Sequence, residues 1–205
     1  HQRSGELLER ALKVIPLGTQ TFSKCHEQFP AGRAPLFLTH GHGARVWDVD
    51  GNEYVDMVSA LLPVTLGYGD PDVNQAISRQ LGRGISRSLA TGLEIELAER
   101  LVQLVPGAEM ARFAKNGSDV TAGAVRVARA ATGRDRIAVC GYHGWQDWYI
   151  CATTRSQGVP AAVCALTPVL PYTGLDALPR FSGEWRGAVA PVLLAPMYPD
   201  SPPAG

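Results

Sequence analysis

The stretch from Met110 to Trp148 constrains this chain most, because it reads as strand, turn, helix, strand and aromatic cluster in unbroken series. Met110-Ala111-Arg112-Phe113-Ala114 has the composition of a short strand, and Lys115-Asn116-Gly117-Ser118-Asp119 is a turn of helix-capping residue types. A helix is expected over Ser118–Ala131: Val120, Ala124, Val127, Ala128 and Ala131 recur at helical spacing as its apolar face. Arg126 and Arg129 take its wetter side, and Gly133 supplies the stop. Ile137-Ala138-Val139-Cys140 is the second strand. Strand, helix and strand with short connections make a right-handed βαβ unit, so both strands run the same way and their carboxyl ends share one edge. That edge collects the helix start at Gly117-Ser118-Asp119 and the run Tyr142-His143-Gly144-Trp145, and open α/β sheets bind ligands along it.

The physics of this edge suits a phosphorylated aromatic ligand. Unpaired N–H groups and the helix dipole favour an anion at Gly117 and Ser118, the glycine admits close approach, and the serine hydroxyl adds a donor. Tyr142 offers a flat face on which a planar ring can stack. An ordinary βα turn, with a helix cap and aromatics filling a crevice, accounts for the same residues. The segment has neither Gly-x-Gly-x-x-Gly spacing nor a Gly-Lys-Ser/Thr ending, so dinucleotide and P-loop readings lack their main support.

Composition removes other classes. Nineteen basic residues balance nineteen acidic ones, and no Lys/Arg run interleaved with aromatics offers a nucleic-acid surface. The apolar runs fall far short of the roughly 20 residues that span a bilayer, and the polar N-terminus does not resemble a signal peptide. No membrane partner is implied, and the expected location is the cytoplasm. Cys25, Cys140, Cys151 and Cys164 show no close pairing pattern and are expected to be reduced core thiols. His26, His40, His42 and His143 lack helical i, i+4 partners or cysteine spacing, so no metal site is expected.

Elsewhere an amphipathic helix is expected over residues 5–14, with Leu7, Leu8, Ala11 and Leu12 on one side and Pro16-Leu17-Gly18 ending it. Residues 45–56 alternate on both sides of Asp50-Gly51 and predict a β-hairpin whose acids form the turn. A further helix is expected over Leu93–Leu104, broken by Pro106-Gly107. The organisation expected is an N-terminal helix and hairpin segment over 1–65, then a partial α/β domain over 66–205.

Four blocks in order carry a family resemblance. FAKNGSDVTAGAVRVARAATGRDRIAVCGYHGWQDW resembles the corresponding segment of class III aminotransferases, the pyridoxal-phosphate enzymes of fold type I. It is most similar to glutamate-1-semialdehyde aminomutase-like and related sugar and spore-coat aminotransferases. GARVWDVDGNEYVDMVSALLPVTLGYGDPDV resembles the family's N-terminal hairpin and following loop, LEIELAERLVQLVPGAEMARF its next helix and strand, and PVLLAPMYPDSPPAG the start of its Glu-Pro strand. The likeness runs from about Leu36 to the end. It implies an α/β, three-layer fold type I large domain with a mostly parallel sheet, incomplete at its C-terminal end.

The resemblance also implies roles. Gly117 and Ser118 fall where the family binds the cofactor phosphate, Tyr142 where an aromatic stacks on the pyridine ring, and His143 lies beside it. Asp119 sits where the family has an acid near the cofactor, while a first-turn acid complementing the helix dipole explains it equally. Trp145, Trp148 and Tyr149 either wall the substrate side or belong to the core. Ala60 and Leu61 fall in the loop that approaches substrate in the family, and the N-terminal helix in a dimer interface. The family's Schiff-base lysine and pyridinium acid lie downstream of residue 205, and its Glu-Pro reads Ala195-Pro196 here. The only lysines are Lys13, Lys24 and Lys115, none at a position the resemblance marks as catalytic. Two functions follow as expectations: pyridoxal-phosphate-dependent amino transfer between a small amine and a carbonyl compound, with those two groups supplied outside these residues, or a noncatalytic homologue serving as a binding or scaffolding subunit. The expected partner is a second chain, a copy of this one or one that completes the fold.

Overall fold

A computed structural model describes residues 1–170 and 189–194, with 190–194 described by backbone alone. Ala195-Pro196 and the proline-rich run that follows lie outside the described residues. The chain divides into two compact units, His1–Thr91 and Gly92–Gly205. No helix among the described residues is long and apolar enough to cross a membrane.

In the first unit α1 spans Gln2–Leu12, earlier at both ends than the periodicity predicts. Its start is fixed from a distance. The Asp50 carboxylate accepts the Arg3 N–H at 2.8 Å and the Ser4 N–H at 3.1 Å, satisfying two donors that a helix start leaves open. A three-stranded antiparallel sheet follows, β1 (Leu38–His42), β2 (Arg45–Asp48) and β3 (Glu53–Val55). Val46 pairs with Tyr54 and Trp47 with Glu53, so the hairpin forms as its alternation predicts. Asp48 organises its turn: the carboxylate accepts the N–H groups of Asp50 and Asn52, the Asn52 amide and the Tyr54 hydroxyl, all at 2.8–2.9 Å. Burial pushes this carboxyl up, but those donors together outweigh it and hold Asp48 below the usual carboxylate range.

Two elements of this unit escape the sequence reading. β1 carries two histidines and a glycine, which do not read as a strand. The helix α2 (Pro71–Leu81) is capped by Asp70, whose carboxylate accepts from the Asp72 and Val73 N–H groups, with Pro71 at its first position. Between β3 and α2, Ser59, Ala60, Leu61 and Leu62 all hold positive φ, from 50° to 77°. Left-handed backbone costs about 1–2 kcal/mol per non-glycine residue. Asp56 helps hold the turn: it accepts the Val58 and Ala60 N–H groups at 2.9 Å and the Tyr68 hydroxyl at 2.6 Å.

The second unit contains α3 (Gly92–Leu104), α4 (Gly117–Thr132), β4 (Arg136–Cys140), the short helices α5 (Asp147–Ile150) and α6 (Ala161–Cys164), and β5 (Val189–Leu194). β4 pairs in parallel with β5, Ala138 opposite Val192 and Cys140 opposite Leu194. Its other edge meets residues 166–170: the Val139 N–H donates to the Pro168 carbonyl at 3.0 Å, and the Leu170 N–H donates back to Val139 at 2.7 Å. Both faces of β4 are covered. Ile137 and Val139 pack with Val125, Trp148 and Tyr149 on one side, while Ala138 and Cys140 pack with Leu170 on the other. This is how an interior strand of a parallel sheet reads, apolar at every position from Ile137 to Cys140.

Two expectations are corrected here. Met110–Ala114 is not a strand, because no described strand lies beside it to take its backbone groups. Met110 is exposed, and Ala111, Arg112 and Phe113 instead line a groove with Ile95 and Ala98 of α3. The parallel pairing runs through β4, β5 and the 166–170 segment. Second, α4 turns a different face inward. Val125 is buried and Thr121, Ala122, Ala128 and Arg129 are half-buried, whereas Val120, Ala124, Val127 and Ala131 are exposed. The helix is apolar on two faces, and β4 covers the one through Ala122 and Val125. Gly133 ends α4 in the left-handed conformation (φ 64°), its N–H bonded to the Arg129 carbonyl, as a helix stop requires.

Candidate functional site

The start of α4 places the predicted residues against the loop after β4. Asn116 is the residue before the helix, and its carbonyl accepts the N–H groups of Asp119 (3.1 Å) and Val120 (3.2 Å). Of the first four N–H groups that a helix cannot satisfy internally, those of Gly117 and Ser118 are left without an acceptor among the described residues. A Cβ on Gly117 would meet no atom of the described residues within 4 Å, and its φ is not left-handed. Neither packing nor backbone conformation demands a glycine there.

Ser118 and Asp119 are tied into the adjoining loop. Ser118 Oγ accepts the Trp145 N–H at 3.3 Å, leaving the hydroxyl hydrogen for a further acceptor. Asp119 Oδ2 accepts the backbone N–H and side-chain amide of Asn116, while Oδ1 accepts the Gln146 amide at 3.2 Å. Its carboxylate braces the helix start to residue 146. Three residues that the sequence reading did not single out complete the brace. Thr121 Oγ1 donates toward the Ser118 carbonyl (3.1 Å) and the His143 carbonyl (3.0 Å). Gln146 grips Asp119. Gly144 has φ 110°, and a Cβ there would overlap the Ser118 hydroxyl and stand 3.0 Å from its Cβ. The first-turn threonine three residues beyond Ser118 was the available signal for Thr121; Gly144 and Gln146 had none.

The aromatic residues separate into an exposed pair and a buried pair. Tyr142 is 70% exposed, held edge-on by Tyr149 at 5.7 Å between ring centroids. Trp145 is 71% exposed, so it is not core. Trp148 and Tyr149 are core, and the Tyr149 hydroxyl donates to the Gly141 carbonyl at 2.8 Å. His143 is folded against both, 5.4 Å from Tyr149 edge-on and 6.5 Å from Trp148. Its Nε2 lies 2.9 Å from the Cys140 carbonyl and must carry the hydrogen to bond it. His143 therefore anchors the loop from beneath while Tyr142 presents its ring outward. Beside them, burial pushes the Cys140 thiol up, marking a core thiol. Lys115 is exposed in the turn before the helix.

In the first unit, Ala60 and Leu61 line an apolar pocket of about 620 Å³ with Phe29, Phe37, Tyr54 and Met57. The one cluster of three potential metal ligands among the described residues is His1, Asp48 and Asp50. Both carboxylates there are already engaged, Asp48 in the hairpin turn and Asp50 at the α1 start. Cys25 and Cys140 are buried, but Cys151 and Cys164 are only half-buried, against the expectation of four core thiols.

Comparison with known proteins supplies the context for this geometry. Residues 28–182 match the model of the family described as aminotransferase class-III. The chain is 36% identical over 196 residues to the 3-aminobutyryl-CoA aminotransferase of Cloacimonas acidaminovorans, covering 95% of this chain and 46% of that protein. It is 36% identical over 208 residues to the glutamate-1-semialdehyde 2,1-aminomutase of Syntrophomonas wolfei, covering 96% and 48%. Among solved structures it superposes on the FumI protein of Sphingopyxis sp. MTA144, determined in its PLP internal aldimine form, with a TM-score of 0.85 at 32% identity, covering 94% of this chain and 47% of that one. The chain spans about half the length of the curated relatives it matches.

Proposed function

The chain belongs to the class III aminotransferase family, and from that premise we propose that it supplies the phosphate cradle and ring platform of a pyridoxal-phosphate-dependent amino-transferring enzyme. Gly117 and Ser118 hold the phosphate through their two outward N–H groups, helped by the serine hydroxyl and the positive end of the α4 dipole. Tyr142 stacks on the pyridine ring. His143 and Asp119 act through others: His143 fixes the loop that carries Tyr142, and Asp119 fixes the helix start. When bound, the cofactor supplies an aldehyde that takes up the amino group and a ring that spreads the charge developing on the substrate. The substrate class is a small amine with a carbonyl partner, and residues 1–65 and 66–205 serve as the N-terminal segment and partial large domain of that enzyme.

Gly117 carries this reading, a glycine that nothing among the described residues requires. The test is a titration with pyridoxal phosphate followed by absorbance, on the parent protein and on Gly117→Leu. We expect at least a tenfold weaker affinity in the variant with an unchanged thermal midpoint, because the added side chain displaces only the ligand. Equal affinity would remove the site. Saturable binding without amino-donor turnover in the intact protein would favour the noncatalytic homologue.

A further inference from the structure

We propose that Cys151 and Cys164 are a reversible dithiol–disulfide pair that staples α5 to α6 beneath the ring platform. Thirteen positions separate the two cysteines, so no sequence pattern marks them, but the fold gathers both at one hydrogen-bonded knot. The Trp148 carbonyl accepts from the Cys151 thiol at 3.7 Å and from the Thr167 hydroxyl. The Thr167 N–H in turn donates to the Cys164 carbonyl at 3.0 Å. Cys151 caps the end of α5 and Cys164 is the last residue of α6. The two short helices pack on each other, and the Cys164 sulfur lies near enough to raise the Cys151 thiol. Both are free and half-buried, so a small oxidant reaches them, unlike Cys25 and Cys140.

The chemistry balances with a soluble disulfide such as oxidised glutathione as oxidant. One thiolate of the pair attacks a glutathione sulfur, forming a mixed disulfide and releasing one glutathione thiolate. The second thiolate then attacks the protein-bound sulfur and expels the other glutathione. The pair loses two hydrogens and two electrons, and two glutathione thiols carry them away. Burial, and then the Cys164 sulfur, push the Cys151 thiol up, so exchange quickens as pH rises. The staple bears on the site because α5 carries Trp148 and Tyr149, which contact His143 and Tyr142; in that respect it rests on the proposed cofactor role.

The experiment is equilibration of the purified protein with oxidised glutathione, acid quenching, and disulfide mapping by mass spectrometry. The expected result is a loss of two hydrogen masses, one intrachain link between the peptides of Cys151 and Cys164, and reversal by dithiothreitol. The oxidised form should also melt at a higher temperature than the reduced form, a shift that Cys164→Ser abolishes while leaving glutathione trapped on Cys151. Glutathione held separately on each cysteine of the parent protein, or both thiols still alkylated after equilibration, overturns the proposal. Mapping requires neither cofactor nor substrate, so its failure is distinct from failure of pyridoxal phosphate to bind the reduced protein.

Discussion

Gly117 and Gly144 lie on opposite sides of one contact and answer to different demands. At Gly144 the backbone is left-handed and a side chain would strike Ser118, so the glycine is required by the fold itself. Gly144→Ala should cost about 2–4 kcal/mol, strain and overlap together, and should weaken cofactor binding because Ser118 must move. Chemical denaturation measures the first effect and absorbance titration the second. Gly117→Ala should leave stability unchanged or slightly raised, since alanine restricts the unfolded chain more than glycine does. A large loss of stability at Gly117 would show that its freedom from contact is not real. The sequence marked Gly117, Ser118 and Asp119 because turn and capping chemistry is local. It could not mark Gly144, because that demand arises only when a loop 26 positions away folds onto the helix start.

At the scale of elements, local signals fared according to whether their partners were local. The 45–56 hairpin was legible because alternation and turn residues sit side by side, and α3 because Pro106-Gly107 marks its end in the local sequence. The face of α4 was not, since it is apolar on two sides and only β4 decides between them. The 110–114 run failed for a related reason: strand composition does not supply a neighbour to pair with. α2 was missed although Asp70-Pro71 is a well-formed start signal, and Asp70→Ala should cost about 1 kcal/mol by removing its two capping bonds. The hairpin and the left-handed turn also predict a pH response. Asp48 and Asp56 are both held below the usual carboxylate range, Asp56 chiefly by the Tyr68 hydroxyl and then the Ala60 N–H. A depressed folded value stabilises the fold above the unfolded value of about 3.9, and the contribution fades as pH falls through the folded one. The first unit should therefore lose stability in acid. The gap in thermal midpoint between the parent protein and Asp56→Asn should be wide at neutral pH and close below about pH 4. Tyr68 is pushed up to about 12 by the same bond, then by burial and the Asp56 charge, so its phenol stays protonated throughout.

Among the described residues, each of the two units leaves large apolar side chains open. In the second unit Tyr142 and Trp145 stand 70% and 71% exposed at the proposed cofactor edge, and Val120 and Val127 line the bare face of α4. In the first, Leu12 of α1 is 47% exposed, as are Val73, Ile77 and Leu81 along α2 at 43%, 53% and 56%. Exposed apolar side chains that gather into a patch mark interaction sites or aggregation hazards. Association with a second chain, a copy of this one or another, through α1 and the cofactor edge is the arrangement we propose. Symmetric dimers present each buried surface twice, so a single charged substitution in either is felt on both sides. Light scattering at micromolar concentration should report a species larger than the monomer, and Leu12→Glu or Trp145→Glu should shift it toward the monomer. Neither change should lower the thermal midpoint of the monomer, since both side chains lie largely outside the core. Cofactor affinity should fall with dissociation in the Trp145 variant, which sits two residues from His143. A parent protein that remains a stable monomer at that concentration would refute association.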